Sequence, residues 1–117
     1  MRVINTTRGT VIAEHAMVAN GFFARAKGLL GKDSLTPQSA LLIPRCQSIH
    51  MFFMKFSIDV IFVNREGYIV GLVTEIHPFQ FSPVFWKSDY AIELPKGQIA
   101  KASCCLGDFV SCEAAVE

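Results

Sequence analysis

The sequence predicts a mainly β fold, a small antiparallel β-sandwich or barrel with one helix near the N-terminus. Three observations predict it. Short apolar runs rich in Val, Ile and Phe recur between turn signals. Residues Met54 to Val63 alternate with period two. No strand–helix–strand register appears, which disfavours a parallel α/β sheet.

The elements follow in order. Residues 2–6 and 10–14 are short strands around a turn at Thr7-Arg8-Gly9. Asn20 is placed to cap a helix from Gly21 to about Leu30, because Phe22, Phe23, Ala26, Leu29 and Leu30 fall at helical spacing and Gly31 ends the run. Ala40 to Ile43 is a buried strand stopped by Pro44. Met54, Phe56, Ile58, Val60 and Phe62 share one face of a half-buried strand, and Lys55, Ser57, Asp59, Ile61 and Val63 share the other. Asn64-Arg65-Glu66-Gly67 closes a hairpin to a partner strand, Tyr68 to Ile76. Residues 77–90 are irregular and aromatic, broken by Pro78 and Pro83. A long aromatic loop covers an open core edge or lines a cleft. Ala91 to Leu94 is a strand, Gln98 to Cys105 gives one or two helical turns, and Phe109 to Glu113 is the last strand.

At 117 residues the chain fits one domain, spanning 1–117, with a core that needs no staples. Charged residues make up 18%, below the usual ~25%, which suggests an exposed apolar surface and a homodimer. The net charge is +1 and no basic run exists, so nucleic acid is not expected as a partner. The N-terminus has no apolar leader, and the longest apolar stretch is interrupted by His50, Lys55 and Asp59. A soluble, cytoplasmic product without membrane attachment is the expectation. The four cysteines, Cys46, Cys104, Cys105 and Cys112, contain no C-x-x-C spacing. They are expected reduced and mostly buried, with no metal and no cofactor.

The stretch from Ser48 through His50, Lys55 and Asp59 to Val63 resembles the hallmark of the DUF192 family, close to S-[IV]-H-T-x-x-M-[RK]-F-P-I-D-V-x-F-[LV]. Lys27-Gly28-Leu29-Leu30-Gly31, Ile92-Glu93-Leu94-Pro95-Lys96-Gly97 and Leu106-Gly107-Asp108 are similar to three further elements of that family. Met51 stands where Thr is usual and Ser57 where Pro is usual. The resemblance implies a small β-sandwich-like fold. It supplies no activity, since the family is a domain of unknown function.

Candidate chemistry rests on polar residues inside apolar segments, because a polar group taken out of water must be paired. His50 titrates nearest neutrality and suits proton transfer or ligation; the plain alternative is a core-edge histidine bonded to backbone. Asp59 breaks the pattern of an apolar strand. Its candidate partners are Arg25, Arg45, Lys55 after a bend, or backbone amides, since Lys55 is roughly 13 Å away along an extended strand. Glu93 has the same character, and Asp59 with Glu93 on one cleft would form an acid–base pair. Cys46, four residues before His50, is a nucleophile only if the two meet. Phe79, Phe81, Phe85 and Trp86 are a stacking wall or a core lid. The expected function is small-molecule binding in a cleft near His50, with His50, Asp59 and Glu93 as the reactive set and Arg45, Cys46, Lys55, Phe79 and Trp86 as ligand-binding residues. The alternatives are a protein-interaction module acting through residues 77–90, or a weak hydrolase.

Overall fold

The structure is a computed structural model that describes residues 1–19, 35–52 and 54–114. The described strands are β1 (Arg2–Asn5), β2 (Thr10–Ala13), β3 (His15–Val18), β4 (Ser39–Pro44), β5 (Ile58–Val63), β6 (Ile69–Ile76), β7 (Tyr90–Pro95) and β8 (Val110–Glu113), with one short helix, α1 (Gln98–Lys101). The fold is mainly β, as the alternation and turn spacing predict. The described helix lies near the C-terminal end; the helix expected over 21–30 lies outside the described residues.

Two sheets form, in the orders β2-β1-β8 and β3-β4-β7-β5-β6. Pairing is antiparallel except between β3 and β4, which run parallel. That pair corrects the wholly antiparallel expectation. Its cause is β3, a strand too short to show a period in the sequence, which joins β4 in parallel with His15 opposite Ser39 and Val18 opposite Leu42.

The five-stranded sheet is covered on both faces. On one side Ile61, Val63, Ile92 and Leu94 pack with Val3, Ile12 and Val110 of the three-stranded sheet and with Ile99 of α1. On the other, Ile43, Ile58, Val60, Phe62 and Ala91 pack beneath Cys46, Ile49, Met51 and Phe85. Burial of apolar area on both faces is what holds a central strand of this kind. This corrects the reading of Met54–Val63 as half-buried. All six residues of β5 are buried, and residues 54–57 lie before the strand begins. The face assignment stands, since Ile58, Val60 and Phe62 line one core and Ile61 and Val63 the other.

The β5–β6 hairpin turns at Asn64-Arg65-Glu66-Gly67. The Asn64 side chain accepts the amides of Glu66 and Tyr68, and Gly67 takes φ 99°. Gly71 on β6 meets the Phe85 ring so closely that a Cβ there would lie 2.6 Å from it. Phe85 in turn stacks on Phe62, with ring centroids 4.5 Å apart.

Candidate functional site

Segments 46–52 and 79–89 are tied into a ribbon by backbone hydrogen bonds. The amides of Met51, Ser82, Phe85 and Phe79 donate to the carbonyls of Gln80, Ile49, Gln47 and Met51, and Cys46 N donates to Asp89 O. Side chains reinforce it. Ser82 Oγ accepts Ile49 N at 2.9 Å, Gln47 Nε2 donates to Trp86 O at 2.8 Å, and Ser88 Oγ donates to Cys46 O at 2.8 Å. This pairing was not legible in the sequence, because prolines and hydroxyl–backbone bonds take the place of a regular period.

The ribbon has two sides. Cys46, Ile49, Met51 and Phe85 face the core. His50 and Phe81, opposite each other in an isolated bridge, are exposed. The His50 and Phe52 rings lie 5.2 Å apart, and Phe52 meets Phe81 edge-on at 4.9 Å. Phe81 is 67% exposed, Phe79 71% and Trp86 78%. Within residues 77–90, Phe85 closes the core while Phe79, Phe81 and Trp86 face solvent.

His50 is not a core-edge histidine bonded to backbone. It is exposed, and among the described residues its side chain meets the Phe52 ring and makes no hydrogen bond. Its place on the outer side of a fixed ribbon leaves both ring nitrogens available.

Asp59 lies on the other side of the molecule's chemistry. It is buried, with Oδ1 accepting Glu75 N at 2.9 Å and Oδ2 accepting Gly97 N at 3.1 Å and Ile99 N at 3.0 Å. Of its expected partners among the described residues, backbone amides are the ones it takes; Arg25 lies outside the described residues. The carboxylate fastens β5 to a left-handed residue of β6, Glu75 at φ 50°, and to the start of α1, where Gly97 is also left-handed at φ 90°. Three charge-assisted bonds occupy its acceptor sites.

Glu93 and Asp59 do not converge. Opposed residues of an antiparallel pair share a face and successive residues alternate. Asp59 opposes Leu94, on the face toward the three-stranded sheet, and Glu93 opposes Val60, on the face beneath the ribbon. The acid–base pair is thus split by the sheet itself. Glu93 is buried and engaged within the protein.

Cys46 is buried, with its thiol directed to Ser48 O at 3.1 Å, and His50 is exposed, so the two do not form the activated pair considered above. Arg45 and Lys55 are exposed beside residues 46–52 and Lys87 on 79–89; among the described residues of these two segments Asp89 is the one carboxylate, and it is exposed. Cys104 is buried, which raises its thiol pKa, and Cys105 and Cys112 are exposed, so burial of the cysteines is half of what the composition suggests. Among the described residues no three His, Cys, Asp or Glu side chains group as metal ligands. No described helix is long and apolar enough to cross a membrane.

Two arrangements escaped sequence reasoning. Asp108 Oδ2 accepts Arg8 Nε at 3.0 Å, Asn5 Nδ2 at 2.9 Å and Cys105 N at 2.9 Å, joining the 5–9 turn to the 105–108 turn. The Arg8 and Asn5 bonds hold this carboxyl down to about 2. Ser57 Oγ and His77 Nδ1 lie 2.7 Å apart. The Arg8 and Asn5 bonds to Asp108 and the Ser57–His77 contact join residues distant in sequence, for which a single chain gives no signal.

These features define a small two-sheet β domain with an aromatic ribbon over one face. The chain belongs to the DUF192 family, whose model, described as Uncharacterized ACR, COG1430, matches residues 3–112. It is 33% identical over 115 residues to a UPF0127 protein of Thermococcus sibiricus, spanning 95% of this chain and 74% of that one. It is 31% identical over 112 residues to a UPF0127 protein of Pyrococcus furiosus, spanning 91% and 93%. A solved protein of unknown function from Novosphingobium aromaticivorans shares the fold, with a TM-score of 0.77 at 20% identity over 94% of this chain and 81% of that one. So does a structure from Sinorhizobium meliloti described as a putative transcription regulator, with a TM-score of 0.74 at 19% identity over 94% and 89%.

Proposed function

We propose that this domain is a binding module whose recognition surface is the outer side of the 46–52/79–89 ribbon, centred on His50. One observation carries the reading: His50, Phe52 and Phe81 form a contiguous set of rings turned to solvent on a hydrogen-bonded, core-anchored ribbon. Exposed aromatic area on a rigid support is a feature of recognition sites. Arg45 and Lys55 beside residues 46–52, with Lys87 near the exposed Asp89 on 79–89, favour a ligand that is flat, apolar in body and negatively charged. Phe79 and Trp86 extend the surface, and Arg45 and Lys55 supply its charge. Asp59 and Glu93 support the frame and take no part in acid–base work, so binding, not hydrolysis by that pair, is the role proposed for this face.

Trp86 is the chain's single tryptophan and is exposed, so its emission reports on the surface. Titration with the aromatic anion anilinonaphthalene sulfonate, whose naphthalene face is flat, should change that emission saturably. His50→Ala and Phe81→Ser should each weaken the probe about tenfold, a difference of roughly 1.4 kcal/mol, with little change in thermal midpoint. Unchanged affinity in both variants would refute the reading, as would a fall of several degrees with no effect on the probe. A second reading, a protein partner, draws on the spread of exposed side chains from Phe79 to Trp86 along the ribbon. A second copy of the chain is the simplest such partner. Sedimentation that shifts with concentration, and loses that shift in Trp86→Ser, would favour it.

A further inference from the structure

The geometry points to a nucleophilic dyad, Ser57 and His77, at one end of the ribbon, with esters of good leaving groups as its substrate class. Ser57 Oγ and His77 Nδ1 lie 2.7 Å apart, a hydroxyl within proton-transfer reach of an imidazole. Both sit where solvent reaches: Ser57 is half-buried and His77 exposed. The histidine is held from several sides. Its amide donates to Gln80 Oε1 at 2.8 Å, its carbonyl accepts Gln80 N, and Phe79 N is tied to Met51 O. Glu75 and Phe79, two residues to either side, are both in the left-handed region at φ 50° and 67°. Non-glycine residues persist there only when their surroundings fix them, so His77 occupies a determined place.

The tautomer with hydrogen on Nε2 leaves Nδ1 to accept the Ser57 hydroxyl. On attack, a bond forms between Ser57 Oγ and the acyl carbon, and the hydroxyl proton passes to Nδ1. The carbon–oxygen bond to the leaving group then breaks, the aryl oxide departs as the anion, and the imidazolium gives its proton to water, which leaves Nδ1 free for the next step. Water attacks the acyl-serine in turn, losing a proton to Nδ1. The carboxylic acid leaves and Ser57 regains its hydrogen. Among the described residues nothing hydrogen-bonds His77 Nε2, so no third group orients the ring. A pair so built acts on aryl esters that need no general acid for departure, and general-base help of this kind is worth about a hundredfold or more. The inference does not rest on ligand binding around His50.

The test uses p-nitrophenyl acetate with the full chain. The expected result is an initial burst of nitrophenolate, an acetyl group located on Ser57 by peptide mass spectrometry, and at least tenfold slower release in both Ser57→Ala and His77→Ala. His15→Ala removes another exposed imidazole, outside this pair, and should leave the rate unchanged. Ser57→Cys keeps a nucleophile and should keep the burst, which separates lost chemistry from lost folding if Ser57→Ala proves unstable. Equal rates in wild type and Ser57→Ala, or loss shared equally by His15→Ala and His77→Ala without acetyl-serine, would mean plain imidazole catalysis and overturn the dyad.

Discussion

Asp59 invites a catalytic reading, since an acid inside an apolar strand is costly unless paired. Its partners are three backbone amides, and their loss is what a substitution would expose. Asp59→Asn keeps the shape but turns an amide group toward N–H donors. It should cost about 2–3 kcal/mol, read as a lower urea midpoint at unchanged slope, with faster amide exchange at Glu75 or at Gly97 and Ile99. Asp108 makes a different prediction. Its carboxyl, held by Arg8 and Asn5 at about 2, is depressed below its unfolded value of about 3.8. The stability it contributes is therefore fully present above about pH 4 and is lost as pH falls through about 2. Asp108→Asn should lower the neutral-pH midpoint and flatten the acid limb of a pH–stability profile between those values. An unaltered acid limb would place the proton uptake elsewhere.

The hairpin β5–β6 and its neighbours show how far sequence pattern reaches. Period two placed Ile58, Val60 and Phe62 on one face and Ile61 and Val63 on the other, and Asn64 to Gly67 marked the turn; both follow from local rules. The strand's burial on both faces was not legible, because it depends on the ribbon crossing one side and the three-stranded sheet the other. Nor was β3, four residues long and parallel to β4. Gly71 marks the place where the ribbon presses closest. Gly71→Ala should force Phe85 aside and cost about 1–3 kcal/mol, the usual penalty of overpacking. Phe85→Leu in the same chain should recover part of that loss in a double-mutant cycle, and strictly additive losses would mean the two positions do not meet.

Across the fold, the polar residues that stand out in the sequence divide by role. Asp59 and Asp108 clamp turns and elements to one another, Glu93 is buried beneath the ribbon, and His50 with the outward aromatics forms the exposed surface. The sequence singled out His50, Phe79 and Trp86, all exposed in the structure, but could not separate exposed from buried polar groups, since that depends on which face of the central sheet each one meets. Asp59 and Glu93, two signature residues that a linear reading groups together, end on opposite faces for this reason. The most direct test sets frame against surface in paired measurements on Asp59→Asn and His50→Ala, each followed by thermal denaturation and by anilinonaphthalene sulfonate titration below its midpoint. The account predicts that Asp59→Asn melts on the order of 10 °C lower yet binds the probe like wild type, while His50→Ala melts normally and binds about tenfold more weakly. Normal melting with lost binding in Asp59→Asn would contradict it.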